Sequence, residues 1–183
     1  MTHIDHIFDC FSEPISVERG AKATGIEEEF LVCDELMAEV IADKNGIHVA
    51  PTWLKILLRC KGVENIILIT DSRDITGNPP GKYIMQDGLS AVIKKGEDIV
   101  RLDNGGLAGS VMTMNGAIKN MMRHTGISLE DAVRMATYNP AKVLKISNKK
   151  GEIKEGLDAD FAVFDKDLNI KMTVLGGEIF YIK

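Results

Sequence analysis

Two short apolar runs without polar alternation constrain this chain more than any other feature. One is Val40-Ile41-Ala42, ending in Asp43; the other is Ile66-Ile67-Leu68-Ile69-Thr70, ending in Asp71. A strand with one wet face alternates polar and apolar residues, whereas a strand covered on both faces does not, and that is the condition of a parallel strand between helices. Between the runs, residues 52–60 place Trp53, Ile56, Leu57 and Cys60 at helical spacing on one face. Strand, helix, strand makes a βαβ unit and predicts an α/β fold. Both runs end in an aspartate, where the chain leaves the apolar interior.

The flanking segments fill in the organisation. A further helix is expected over residues 27–37. Asn78-Pro79-Pro80-Gly81 is a turn cluster, and short strands are expected at 83–85, 91–93 and 99–102, with turns at Asp87-Gly88 and Lys95-Gly96. Val111, Met114, Ile118, Met121 and Met122 share a helical face, with Ser110 suited to the N-cap and Gly126 to the C-terminal stop. Ser128-Leu129-Glu130-Asp131 opens a second helix with a capping-box pattern, and Asn139-Pro140 interrupts or ends it. The tail returns to strands at 161–164 and 174–181, separated by residues 165–169 and by Gly176-Gly177.

At 183 residues and 45% hydrophobic content, the chain suffices for one domain with a real core. A net charge of -5 without a basic face argues against a nucleic-acid partner. Cys10, Cys33 and Cys60 are odd in number and form no CxxC, which reads as free thiols in a reducing, cytoplasmic setting. Met1-Thr2-His3-Ile4-Asp5 has neither the basic start nor the apolar run of a secretory leader. No stretch approaches ~18 uninterrupted apolar residues, so no membrane span is expected.

Three stretches carry polar groups that could do chemistry. Residues 2–9 hold His3, Asp5, His6 and Asp9, donors suited to a divalent metal or, alternatively, a solvated polar segment. His48, just beyond the first buried strand, reads as a site residue or as a satisfied structural histidine. Asp71 ends the most apolar strand, and active sites of parallel α/β folds lie outside the carboxyl ends of strands. It could be a metal ligand, a general base or a cap for the next loop.

Taken in order, these segments resemble the N-acetylglucosamine-6-phosphate deacetylases, metal-dependent amidohydrolases. His6-Ile7-Phe8-Asp9-Cys10-Phe11 is similar to the family's His-Leu-Tyr-Asn-Ala-Met segment. Val40-Ile41-Ala42-Asp43 followed by Gly46-Ile47-His48-Val49 resembles its Ile-Ala-Asp-Gly-x-His-Val, and Ile69-Thr70-Asp71 its Val-Thr-Asp. Leu107-Ala108-Gly109-Ser110 resembles its Leu-(Ala/Ser)-Gly-Ser. The run from Ala132 to Ala141, and Gly151, Ile153, Gly156, Ala159 and Asp160, continue the similarity.

The resemblance implies the C-terminal part of a (β/α)8 barrel with a portion of a small β-sandwich. Residues 1–80 and 104–150 would belong to the barrel, and 81–103 and 151–183 to the sandwich. It implies His6 and Asp71 as metal ligands, Asp71 and His48 as catalytic residues, and Asp9, Cys10, Gly46, His48, Leu107, Ala108 and Gly109 at the substrate. The metal implied is Zn²⁺ or Fe²⁺, the substrate an N-acetyl amino sugar, and the full-length assembly a homodimer. A metal-bearing cavity requires His6 and Asp71 to converge at one end of the parallel strands.

The chain departs from the family's pattern in four places. Asp9-Cys10 stands where Asn-Ala lies next to the sugar phosphate, and a carboxylate there repels a phosphate. Val17-Glu18-Arg19-Gly20 is the nearest match to the family's phosphate-reaching arginine, so that Arg19 is displaced or the role is lost. Lys44-Asn45 are inserted before Gly46, and His3 competes with His6 for the ligand role. The resemblance begins at about the sixth strand, so a glutamate and a further histidine ligand of the family have no counterpart here. The alternatives are therefore a deacetylase of another amide, or a non-catalytic remnant or split-gene subunit.

Overall fold

The computed structural model of the chain describes residues 2–9, 18 and 23–183. Strands β1 (His3–Ile4), β2 (Met37–Ile41) and β3 (Ile66–Ile69) form a parallel sheet in the order β1-β2-β3. His3 pairs with Met37 and Ile4 with Ala38; Ala38 pairs with Ile66 and Ile41 with Ile69. The amide of Ile7 donates to the Glu39 carbonyl at 2.8 Å, extending the β1 ladder. Val40, Ile41, Ile66 and Leu68 are buried, as the missing alternation requires.

The connections are helical. Helix α1 (Ile26–Leu31) is shorter than the expected 27–37: Val32 caps it, and Met37 already opens β2. Phe30 and Leu31 are buried, but Val32, Asp34 and Glu35 are exposed and offer no apolar face to hold another turn. Helix α2 (Pro51–Lys61) starts with proline in its first turn and ends at Gly62, whose φ is 66°. Its buried face is Leu54, Leu57 and Lys61; of the expected stripe Leu57 is buried and Ile56 packs against the core, whereas Trp53 and Cys60 are exposed. Both sets have helical spacing, so periodicity could not separate them. Lys61 buries its stem, donates to the Cys33 carbonyl and places Nζ 4.4 Å from the centre of the Phe30 ring. Cys33 and Cys60 are free thiols.

After β3 the chain builds an antiparallel sheet, β4 (Gly81–Ile84), β5 (Ser90–Ile93), β6 (Ile99–Leu102) and β7 (Leu107–Ser110), in that order. Gly88 and Gly96, at φ 83° and 85°, make the expected turns. Ile75, Met85, Ala91, Ile93 and Val100 form a separate small core. The far end of β7 returns to the parallel region. The Ser110 amide donates to the Asp71 carbonyl and the Arg73 amide to the Ser110 carbonyl, each at 2.8 Å, in a parallel bridge.

Helices α3 (Met114–Thr125), α4 (Leu129–Ala136) and α5 (Tyr138–Val143) follow. The N-cap of α3 is Thr113, not Ser110. Ser110 is buried, donates its hydroxyl to the Thr70 carbonyl and accepts the Met112 amide at 3.1 Å. Ile118 and Met121 face the main core as expected, while Val111 packs on the small one. Ser128 caps α4 by accepting the Asp131 amide. The break falls at Thr137, and Asn139-Pro140 sits in the first turn of α5, where a missing N–H is tolerated. The tail has three strands, β8 (Phe161–Phe164), β9 (Ile170–Leu175) and β10 (Glu178–Ile182), ordered β10-β9-β8. Gly176 and Gly177, both at positive φ, turn the hairpin. The expected break at Gly176-Gly177 separates β9 from β10, but β9 starts at Ile170 rather than 174, because Lys171 and Thr173 interrupt its apolar run.

Leu68 lies in the main core at 1% exposure. Leu68→Ala should lower the unfolding free energy by about 2–5 kcal/mol, through lost transfer energy plus a cavity. Ile153→Ala, at a side chain 91% exposed, should change it by less than about 0.5 kcal/mol. Urea titrations of the three proteins check both values.

Candidate active site

The polar candidates stand at the carboxyl ends of the parallel strands. Asp43 and Asp71 lie two residues beyond Ile41 and Ile69, which pair, so they reach the same level on neighbouring strands. His6 stands two residues beyond Ile4. His6, Phe8 and Asp71 have φ of 22°, 70° and 46°, a region that side chains rarely adopt. Backbone strain of this kind concentrates where surrounding structure holds a chain for function.

Asp71 is open to solvent on one side, yet burial of the rest of its surroundings raises its carboxyl above the usual range. The charges of His6, His48 and Arg73 pull the other way, and that of Asp9 adds to the rise. His6, His48, Asp9 and Arg73 therefore all lie within electrostatic reach of one carboxyl. Gly109, at φ 78°, closes over it: a Cβ there would stand 2.8 Å from Asp71 Oδ2 and 2.6 Å from its carbonyl oxygen. Only glycine admits Asp71 at that position.

The two histidines of residues 2–9 differ. His3 has Nδ1 3.0 Å from Thr2 Oγ1 and Nε2 3.2 Å from Glu39 Oε1. His6 has Nε2 3.3 Å from Asp5 Oδ2, whereas its Nδ1 is buried and has no hydrogen-bond partner among the described residues. Burial pushes the Glu39 carboxyl up and a hydrogen bond shared with Asp5 adds to this, while His3 opposes it. A buried imidazole nitrogen without a partner, near a carboxylate, is donor chemistry that fits a divalent cation. Among the described residues no group of three His, Cys, Asp or Glu is placed to hold an ion.

His48 is buried in a loop organised by Asp43. Asp43 Oδ1 accepts the amides of Asn45 and Ile47 at 3.0 Å, and Oδ2 accepts those of Ile47 at 2.9 Å and His48 at 2.8 Å. The His48 ring brings Nδ1 to 3.4 Å from Oδ2. Burial alone would raise the Asp43 carboxyl, but the ring and these amides outweigh it and hold it to about 2. Gly46 completes the turn at φ 65°, with Pro51 packed where a side chain would go.

The remaining candidates divide. Gly109 touches Asp71, but Ala108 packs into the small core and Leu107 pairs with Arg101. The Asp9 amide donates to the His6 carbonyl at 3.1 Å. Cys10 and Arg19 lie outside the described residues. Asp43 was legible only as a strand end. Its signal was an aspartate followed by Lys44-Asn45-Gly46, a stretch whose amides can fold back onto a carboxylate.

A carboxylate and histidines stand beyond the carboxyl ends of parallel strands in an α/β fold, and the chain belongs to the amidohydrolase family, whose profile matches residues 21–180. Within it, the chain is similar to N-acetylglucosamine-6-phosphate deacetylases. It is 39% identical over 155 residues to that of Lysinibacillus sphaericus, across 85% of this chain and 38% of the relative. It is 32% identical to that of Bacillus subtilis, across 99% of this chain and 43% of the relative. An N-acetylgalactosamine-6-phosphate deacetylase from Escherichia coli O157:H7 is 33% identical, across 77% of this chain and 36% of the relative. The crystal structure of the Thermotoga maritima N-acetylglucosamine-6-phosphate deacetylase superposes with a TM-score of 0.77 at 31% identity, covering 87% of this chain and 42% of that one. The chain thus spans roughly two fifths of the length of these relatives. No described helix is long and apolar enough to cross a membrane.

Asp43 yields a pH prediction. A carboxyl depressed in the folded state contributes stability that is complete above its unfolded value and is lost as pH falls through the folded value. With Asp43 held to about 2 against an ordinary 3.8, a contribution on the order of 2 kcal/mol should be present above about pH 4 and vanish towards pH 2. The stability gap between the wild type and Asp43→Asn, from urea titrations stepped from about pH 6 to 2, should narrow over that window. A gap constant with pH would show that ionised Asp43 does not stabilise the fold.

Proposed function

We propose that this chain is the catalytic C-terminal portion of a metal-dependent deacetylase of N-acetyl amino sugars, with N-acetylglucosamine-6-phosphate as substrate. The observation that carries it is the placement of His6 and Asp71 beyond the carboxyl ends of β1 and β3 in one parallel sheet, with the charges of His6, His48 and Asp9 acting on the Asp71 carboxyl. The similarity to relatives of that activity supports it. In the complete protein, β1 to β3 with α2 to α4 would form the last part of a (β/α)8 barrel, and β8 to β10 would join a small β-sandwich. The same reading assigns the protein to the cytoplasm, as a homodimer.

His6, through Nδ1, and Asp71 would hold a divalent cation, Zn²⁺ or Fe²⁺, together with ligands from the rest of the complete protein. Such an ion supplies Lewis acidity to the amide carbonyl and to the attacking water. Asp71 takes a proton from that water as its oxygen adds to the acetyl carbon, and passes the proton to the amide nitrogen as the C–N bond breaks. Acetate and the free amine leave. His48 meets the acetyl oxygen, where negative charge develops, and Gly109 keeps the space in which the Asp71 carboxyl operates.

Asp9 favours a second reading, an N-acetyl substrate without a phosphate. Its negative charge already acts on Asp71, and a phosphate nearby would be repelled. A hybrid that joins this chain to the preceding segment of the Lysinibacillus sphaericus relative separates the two. Turnover of N-acetylglucosamine-6-phosphate well above that of N-acetylglucosamine supports the first, the opposite order supports the second, and no turnover of either removes both.

In the same hybrid, Asp71→Asn should lower kcat by roughly 10²–10⁴, the usual contribution of a general acid/base, with little change in KM or melting temperature. Near-normal kcat with a loss of ~0.5–2 kcal/mol of stability would instead make Asp71 a loop cap. Calorimetric titration of the 183-residue chain with Zn²⁺ should show only weak binding, because a catalytic zinc takes about three protein ligands. Stoichiometric submicromolar binding would place a third ligand, such as Asp5 or His3, in this chain.

A further inference from the structure

We propose that Asp43 is a positioning residue: it fixes the His48 ring with Nδ1 protonated and turned to its carboxylate, so that Nε2 is the ring atom presented to a ligand. The chemical consequence rests on the reading of His48 as a substrate-facing residue; the ring state itself does not.

The nearest charged atom to Nδ1 sets the preference of the ring. Both side chains have no solvent exposure, and Nδ1 stands 3.4 Å from Asp43 Oδ2. At that distance the contact is electrostatic rather than a tight hydrogen bond, and it is governed by sign. A lone pair on Nδ1 would face a carboxylate oxygen in a water-free setting, which is repulsive; an N–H facing the same oxygen is attractive. The carboxylate is ionised throughout the neutral range, because the amide donors hold it to about 2 against its burial. The same oxygen accepts the His48 amide at 2.8 Å, so one group locates both the backbone and the ring of this residue.

The loop cannot drift from that arrangement, because its backbone is gripped from the other side as well. Asn120 Nδ2 donates to the Ala42 carbonyl at 3.0 Å, His124 Nε2 lies 2.9 Å from the Asp43 carbonyl oxygen, and Arg123 bonds the Lys44 carbonyl. Asp98, between β5 and β6, accepts the Lys44 amide at 3.0 Å. Both ring nitrogens of His48 are buried without a hydrogen-bond partner among the described residues; Nδ1 meets Asp43 through the 3.4 Å charge contact, whereas Nε2 has no partner among them. The charge of the His48 ring acts on the Asp71 carboxyl, so the ring lies within electrostatic reach of it.

A role for Nε2 follows. With Nδ1 committed to Asp43, the neutral ring can only accept at Nε2, for example from a sugar hydroxyl or an amide N–H. Donation to a carbonyl oxygen uses the doubly protonated ring, with Asp43 as its counter-ion. In both states Asp43 sets which atom meets the substrate without touching the substrate itself.

The test is long-range ¹H–¹⁵N correlation of the ring nitrogens in the histidine-labelled chain, at a pH where the His48 ring is neutral. His48→Gln assigns the signal by its loss. The expected pattern is a protonated Nδ1 and a lone-pair frequency on Nε2; the reverse tautomer overturns the proposal. In Asp43→Asn the ring should shift towards the Nε2-protonated form or a mixture. A folded variant that keeps the wild-type pattern would show that the carboxylate does not fix the ring. If that variant does not fold, the wild-type spectrum still decides. Absent turnover in the hybrid enzyme would remove the proposed activity and leave this assignment standing, whereas the reverse tautomer would remove Asp43 even from an active enzyme.

Discussion

The ladder between β2 and β3 is the constraint on which the rest of this molecule depends. Ala38 to Ile41 pair with Ile66 to Ile69 in parallel, and both faces are packed, so a slip of one residue would exchange the side chains of the two faces and disrupt both layers. Register therefore fixes the level at which the strands run out of apolar residues. Beyond Ile41 and Ile69 the next charged groups are Asp43 and Asp71, and the ladder delivers them side by side. β1 joins the same sheet and leaves His6 past its last paired residue. A cluster of polar groups at one end is what an apolar parallel sheet produces when its strands stop together.

Placing charge at the edge of a core requires compensation, and each group finds a different one. Asp43 is buried but accepts backbone amides on both oxygens, which makes burial tolerable and ties a loop into one shape. Among the described residues Asp71 has no such set of donors, and burial leaves its carboxyl raised. One carboxylate is thereby held ionised as a structural anchor while its neighbour keeps a higher proton affinity, the property a proton shuttle needs. The difference is in the loops: the chain after Asp43 folds back onto it, whereas the chain after Asp71 runs away to Ser72 and the bridge with Ser110.

The antiparallel insertion is tied to this scheme at one point. It has its own small core, and its last strand carries Gly109 against Asp71 and Ser110 against Thr70 and Asp71. Leu107 and Ala108 serve the sheet; Gly109 and Ser110 serve the site. A four-residue strand thus divides between two tasks because its end lies where two sheets meet.

Much of this was legible without coordinates. The missing alternation in residues 40–42 and 66–70 determined the parallel strands, because burial on both faces leaves a local composition signature. The Ser128 cap and the glycine turns were equally local, since each depends on residues a few positions apart. Asp71 was legible as a candidate because a charge that ends an apolar run has few places to go. What failed had a common cause. The face of α2, the end of α1 and the role of Ser110 depend on which neighbours arrive, and two helical stripes of similar spacing look alike until one meets a sheet. The same holds within the site. His3 and His6 could not be ranked by composition, and only the tertiary structure showed Glu39 reaching the first while Nδ1 of the second has no partner among the described residues. The sequence by itself determined which residue types lie at the strand ends; the tertiary structure alone decided which of their atoms are already bonded and which face the site, because those partners come from segments distant in the chain.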